Sequence, residues 1–212
     1  MNRLQLLDYL KKTGFSYQII NAFKNVRRED FIPEESTQYA YEDTALSIGS
    51  GQTISQPSTI AMMLTMLDLK KGQKVLEIGS GCGYALALMS DIIGEKGKVY
   101  GIEIIKELAD KSKENLKNYS NIKLYHADAS KELPKKLPSL FERILISASV
   151  EEIPKTLLSR LKNNGIIVAP VGPQHSEQSL VAVQRKKDEY TIKHKKSGFV
   201  FVPFIQKNDK II

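Results

Sequence analysis

The stretch "VLEIGSGCGYALAL", residues 75–88, decides how this chain is read. A short apolar run, five residues punctuated by three glycines, and an alanine- and leucine-rich run form the pattern of a strand that turns on glycines and opens a helix. Gly79, Gly81 and Gly83 let a ligand approach the backbone, and the N–H groups of the following helix face it. Downstream, short apolar runs alternate with amphipathic ones. "KVLEIG" (74–79), "KVYGIEI" (98–104), "IKLYHAD" (122–128), "RILISAS" (143–149) and "GIIVAPVG" (165–172) read as strands. "YALALMSDII" (84–93), "KELADKSKENLKNY" (106–119) and "PKTLLSRLK" (154–162) read as helices, with "KELPKKLPSLFE" (131–142) as a linker. Five βα-type strands predict an α/β fold with a mostly parallel sheet. From residue 178 the pattern alternates, with a hairpin turn expected at Lys187-Asp188, so the chain should end in an antiparallel β part.

The glycine spacing is G-x-G-x-G, without the third glycine of a dinucleotide fingerprint. Glu77 lies two residues before the first glycine, where a carboxylate suits a cationic ligand better than a pyrophosphate. Glu103 closes the second strand about twenty residues past the loop, the place of an acid that accepts the two hydroxyls of a ribose. Asp128 closes the third strand at the same sheet edge. Three acids around one pocket repel a diphosphate and favour a sulfonium and an amino group, which points to S-adenosylmethionine (SAM). A strand-end acid that merely caps the next helix is the competing reading, and it fits Asp128 better than Glu103. Gly79, Ser80 and Gly81 are expected at the methionine end and Asp128 on the adenine side, with Ile104 and Ala129, next to the two strand-end acids, completing the cofactor set.

A second glycine-punctuated stretch, "SIGSGQTISQPSTIAMMLTML" (47–67), precedes this core. Its first half reads as a polar loop and its second as a helix from Gln56 to Leu67 with Pro57 in the first turn. Two short helices broken at Thr13-Gly14 should lead the chain, followed by an irregular connection. The 212 residues, 42% hydrophobic, suffice for one domain with a sizeable core. It divides into a helical extension (1–46), a core (47–172) and a C-terminal β part (173–212). No apolar run is long enough to span a membrane, and the N-terminus is amphipathic, so a soluble cytoplasmic protein without a membrane partner is expected. The single cysteine, Cys82, and three scattered histidines, His126, His175 and His194, predict no metal site. The net charge of +7 raises nucleic acid as a partner, but the lysines are dispersed among acids as solvated faces, so none is expected. Asn118-Tyr119-Ser120 matches a glycosylation acceptor by chance.

In order along the chain, "GSGQTISQP", "VLEIGSGCGYALA", "YGIEI", "RILISASVEEIP", "NNGIIVAPVG" and "FVFVPF" resemble successive blocks of the protein-L-isoaspartate O-methyltransferases. The resemblance implies a Rossmann-like class I SAM-dependent methyltransferase sheet. It also implies an activity: methylation of the free α-carboxyl of L-isoaspartyl residues in damaged proteins and peptides, giving a methyl ester and S-adenosylhomocysteine (SAH). In the family the Thr-Ile-Ser turn lies over the cofactor pocket and helps to receive the substrate carboxylate, which maps onto Thr53, Ile54 and Ser55. The sequence departs from the family pattern at Cys82, where serine or threonine is common, and at Ala129, where glycine is common. "SASVEEIP" also replaces a segment richer in alanine and proline.

An α-carboxyl with a reference pKa of roughly 3.5 is already ionised at neutral pH, so no general base is needed. That fits a sequence without a Ser-His-Asp or Cys-His set. Ser55 is the leading candidate for orienting the acceptor, because a hydroxyl holds a carboxylate without quenching it as an ion pair does. The alternative is that Ser55 caps the helix from Gln56. Gln52 is expected to hold the loop. Residues 148–150 and 200–203, with Ala148, Val150 and Val202, are candidate docking edges for the peptide, or else ordinary strand. A monomer is expected. Two other functions compete. An RNA methyltransferase acting on ribose is one, although no Asn/Asp-Pro-Pro-Tyr/Phe block occurs. A non-catalytic SAM-fold binding module is the other. A nicotinamide oxidoreductase is disfavoured by the glycine spacing.

Overall fold

The computed structural model describes residues 1–174 and 176–204; His175 and residues 205–212 of the expected C-terminal part lie outside the described residues. Helices α1 (Arg3–Lys12) and α2 (Tyr17–Asn25) lead the chain. The start of α1 is fixed by a capping box. Asn2 accepts the Gln5 N–H at 3.0 Å and Gln5 accepts the Asn2 N–H at 2.7 Å, satisfying two N–H groups that the helix itself leaves open. The irregular connection holds two 3-10 turns, Arg28–Phe31 and Glu34–Tyr39.

The polar stretch that reads as a loop is a hairpin. β1 (Leu46–Gly49) and β2 (Gln52–Ile54) pair antiparallel around Ser50 and Gly51, at φ +52° and +68°. Positive φ at both central residues gives the turn a twist that matches the strands. Ile48 and Ile54 anchor the hairpin to the core. α3 (Pro57–Leu67) follows, its N-cap residue Gln56 making no side-chain cap bond. Asp43 supplies the cap from a distance, accepting the Ser58 N–H at 2.8 Å.

The core elements are β3 (Lys74–Ile78), α4 (Tyr84–Ile93), β4 (Lys98–Glu103), α5 (Lys106–Asn115), β5 (Ile122–His126), β6 (Phe141–Ile146), α6 (Lys155–Leu158), β7 (Leu161–Val171), β8 (Gln178–Lys186) and β9 (Glu189–Phe199). They form one seven-stranded sheet in the order β5-β4-β3-β6-β7-β8-β9. Pairing is parallel from β5 to β7 and antiparallel from β7 to β9. After β3 the chain builds outward to β5, then returns to place β6 on the other side of β3. This reversal opens a crevice at the carboxyl ends of the strands, where ligands bind in open α/β sheets.

Alternation along the strands divides the core. Val75, Val99, Leu145 and Val168 face α2 to α5, while Leu76, Ile102, Ile144 and Ile167 face Leu133, Leu137, Phe141 and Leu157. The second face is thus covered by an irregular segment and the single turn α6. The helix expected over 154–162 is that short because Leu161 is already paired with Phe141, whose N–H bonds the Arg160 carbonyl at 2.8 Å. Sheet pairing overrides helical periodicity there. α5 likewise stops short of residue 119, and the β8–β9 turn falls at Lys187, φ +55°, as expected.

Gly101, in the middle of β4, lets the glycine loop sit down on the sheet. A Cβ there would lie 2.6 Å from Ser80 Oγ and 2.7 Å from Leu86 Cδ1. Gly101→Ala should therefore destabilise the fold by about 1–3 kcal/mol through overpacking, despite the better strand propensity of alanine. Urea unfolding measures it; unchanged stability would mean that the loop is not seated by this contact.

Candidate active site

The glycine loop after β3 is held from three sides. Gly79 and Ser80 donate their N–H groups to the Ile102 carbonyl at 2.9 and 3.2 Å. Asn115, the last residue of α5, donates to the Cys82 carbonyl at 3.0 Å. Glu103, at the end of β4, accepts the Gly81 N–H on Oε2 at 2.7 Å and the Ile105 N–H on Oε1 at 2.9 Å. Gly79, Gly81 and Gly83 all take positive φ, from +52° to +89°, a region closed to most side-chain-bearing residues.

Two buried carboxylates end up beside this loop, in different states. Glu103 is 4% exposed, and burial raises its pKa against the lowering effect of its backbone donors. Glu77 is 1% exposed and shares the helix-covered face of the sheet with Val75. Its Oε1 accepts the Ser147 hydroxyl at 2.6 Å, whereas Oε2 has no hydrogen-bond partner. Burial pushes Glu77 up to about 8, Ser147 opposes the shift, and the negative charge of Glu103 adds to it. A carboxyl with one oxygen unsatisfied in the interior is an open position for a cationic donor.

Three adjoining clefts meet here. The first, about 560 Å³, has Gly79, Gly81, Glu103, Ile104, Ala129, Ala148 and Val202 in its walls. The second reaches Glu77, Ser80 and Cys82, and it includes Ile54 and Ser55. The third is lined by Ser55, Gln56, Thr59 and the segment from Gly198 to Val202. Thr53 and Ser147 line all three. Among the described residues, no Lys, Arg or His lines any of them. An ammonium-bearing amino acid, a ribose and an apolar base match the first two clefts. Glu77 presents a free carboxylate oxygen, Glu103 stands in the wall of the first cleft, and Ile104, Leu108 and Ala129 form an apolar wall.

Two of the sequence candidates stand apart from these walls. Val150 is buried on the opposite face of the sheet, its N–H bonded to the Pro170 carbonyl and its carbonyl to the Gly172 N–H. Asp128 sits between Ala127 and Ala129, which do line the first cleft, and its Oδ1 accepts both the N–H and the hydroxyl of Ser130. The two candidate docking edges also bond to one another. Ser149 donates its N–H to the Val202 carbonyl at 2.8 Å and accepts the Phe204 N–H at 3.0 Å. With the fully buried Gln178, whose Oε1 accepts the Phe201 N–H at 2.9 Å, this pins residues 201–204 over the site. Ser149 falls inside the docking edge expected at 148–150, whereas Ser147, Gln178 and Thr59 are not among the sequence candidates.

Ser55 is not the cap of α3, since that position belongs to Gln56 and Asp43 serves it. The half-buried Ser55 hydroxyl makes no hydrogen bond to any described residue and borders the second and third clefts.

The sheet order, the glycine loop and the two strand-end acids define a class I, Rossmann-like methyltransferase. Residues 1–209 match the protein-L-isoaspartate(D-aspartate) O-methyltransferase family. A protein-L-isoaspartate O-methyltransferase of Methanococcoides burtonii is 43% identical over 95% of this chain and 98% of its own. Another, from Methanothrix thermoacetophila, is 38% identical over 98% and 96%. A Plasmodium falciparum structure described as a protein-L-isoaspartate O-methyltransferase in complex with SAH superimposes with a TM-score of 0.84 at 28% identity, covering 97% of this chain and 99% of that one. The chain belongs to the protein-L-isoaspartate(D-aspartate) O-methyltransferase family. Among the described residues, no helix is long and apolar enough to cross a membrane, and no group of His, Cys, Asp and Glu is placed to hold a metal.

The raised pKa of Glu77 has a sign that can be checked. Because the folded value, about 8, exceeds the ordinary 4.5, the unliganded protein should lose stability as pH rises between these values. A bound ammonium favours the carboxylate, so SAH binding should release close to one proton at about pH 7 and tighten as pH rises toward 8. Isothermal titration in buffers of differing ionisation enthalpy reads the proton. Glu77→Gln should abolish the release, and an unchanged release in that variant would remove Glu77 from the amino-group site.

Proposed function

We propose that this protein transfers a methyl group from SAM to the free α-carboxyl of L-isoaspartyl residues in damaged proteins and peptides, as a repair methyltransferase. The observation that carries the reading is the shared wall of Thr53 and Ser147, where the acid-lined clefts open directly into a polar cleft with no base and no cation among its described lining residues. When bound, SAM supplies a methyl carbon on a positively charged sulfur, which a carboxylate oxygen takes up to give the methyl ester and SAH.

Each residue then has a defined task. Glu77 receives the amino group, Glu103 the ribose, and Gly79, Ser80 and Gly81 admit the methionine end against bare backbone. Ile104 and Ala129 wall the adenine side, with Asp128 stiffening the turn behind it. On the acceptor side, the Ser55 and Thr53 hydroxyls donate to the carboxylate and leave its attacking oxygen free of a counterion. Ala148 and Val202 close the joint between the clefts, and Ile54 anchors the hairpin. Holding the carboxylate away from water supports the transfer, since a less hydrated oxygen is the better nucleophile.

The same arrangement disfavours a ribose hydroxyl as acceptor. Such a hydroxyl is not ionised at neutral pH and requires a base; Glu103 is engaged by two backbone N–H groups, and the free oxygen of Glu77 is assigned to the amino group of the cofactor. The chain acts as a single methyltransferase domain, with α2 packed against α3 and α4 and the C-terminal β part supplying one wall of the third cleft.

Ser55→Ala tests the assignment. Turnover on an isoaspartyl peptide should fall about 10- to 100-fold, with SAH affinity within about threefold of wild type because that residue leaves the acids untouched. Turnover equal to wild type would reduce Ser55 to a structural part of the hairpin.

A further inference from the structure

Arg28 is the largest fully buried side chain, with 0% exposure. It forms no salt bridge with any described carboxylate. Its Nη1 donates to the Ser55 carbonyl at 2.8 Å, its Nη2 to the Thr44 carbonyl at 3.0 Å, and its Nε is buried without a partner. The guanidinium carbon stands 5.7 Å from the centroid of the Tyr84 ring, the residue that opens α4 directly behind the glycine loop.

A desolvated guanidinium without a counterion is unfavourable, so its position calls for a reason. Thr44 and Ser55 lie just outside the two ends of the β1–β2 hairpin, and the planar guanidinium holds their carbonyls on two different nitrogens at a fixed separation. The same guanidinium lies over the ring of Tyr84, the residue next to the cofactor loop. Arg28 thus joins the base of the hairpin that carries Thr53 and Ser55 to the start of the helix behind the cofactor.

We propose that Arg28 is a positioning residue that clasps the base of the substrate hairpin against the cofactor loop and so sets the place of the Ser55 hydroxyl. Nothing in its geometry touches substrate or cofactor; it acts through Ser55. The part that concerns turnover rests on the acceptor reading above, whereas the clasp itself does not.

Arg28→Lys keeps the charge and the aliphatic stem but loses the rigid fork, because one ammonium nitrogen cannot stand at both Nη positions. In SAH-saturated protein, amides of residues 46–54 should exchange hydrogen at least about tenfold faster in this variant, with β3 and β4 unchanged. Turnover on an isoaspartyl peptide should drop about 10- to 100-fold, SAH affinity should stay within about threefold, and the Arg28→Lys/Ser55→Ala double variant should be no slower than the slower single one. Unchanged hairpin exchange, faster exchange throughout the protein, wild-type turnover, or additive losses would each overturn the clasp. If Arg28→Lys does not fold, nitrogen NMR of the wild-type protein decides. Individually resolved, slowly rotating Arg28 Nη groups support the fork, and averaged ones refute it. A wild-type protein that methylates no isoaspartyl peptide would defeat the acceptor assignment, while the exchange and NMR results still judge the clasp.

Discussion

Two carboxylates, Glu77 and Glu103, are buried at the ends of adjacent parallel strands, and much of the surrounding structure answers to the cost of putting them there. Removing an ionised carboxylate from water costs several kcal/mol unless donors replace the lost hydration. Glu103 receives two backbone N–H groups, one of them from Gly81, which requires the loop to fold back over the strand end in conformations that suit glycine. Glu77 receives only one hydroxyl, burial holds its pKa well above the ordinary carboxylate range, and its second oxygen is left without a donor. The pocket is therefore tuned for a ligand that brings a positive charge and a pair of hydroxyls together.

The acceptor side follows the opposite rule. Its walls are hydroxyls, amides and apolar groups, without a charged side chain among the described lining residues. An anion that has to act as nucleophile is best oriented by neutral donors, and an anion already ionised needs no base. The hairpin and the segment pinned by Ser149 and Gln178 bring the two sides within a shared wall. Both are held by a few buried polar contacts outside the main strand ladder, so the core can serve as a rigid floor while acceptor geometry is set by small attachments.

Local pattern made most of the fold legible. The strand-glycine-helix unit, the alternating βα texture and the acid about twenty residues beyond the loop each follow from short-range chemistry, and the elements from 74 to 126 follow those signals, except that α5 ends at Asn115 and β5 at His126, two residues before Asp128. The hairpin escaped because a serine at positive φ leaves little trace in a sequence, and the short α6 because pairing of Leu161 with Phe141 outweighs an apolar period. Of the candidate site, Glu77, Glu103 and the Thr-Ile-Ser turn were picked out by sequence and line the same group of clefts. Ser147, Gln178 and Arg28 were not, because each is defined by a partner 70, 23 or 27 residues away. Val150 shows the converse, since an extended run beside a pocket carries no mark of which face each side chain takes.

The central claim is that an acid-lined cofactor pocket opens onto a neutral site built for an ionised α-carboxyl. Its most direct test is methyl transfer from labelled SAM to two synthetic peptides that differ only in an isoaspartyl or a normal aspartyl link, with bulk RNA as a third acceptor. The account predicts base-labile label on the isoaspartyl peptide alone. Label on RNA, equal label on both peptides, or none on any acceptor despite measured SAM binding would contradict it.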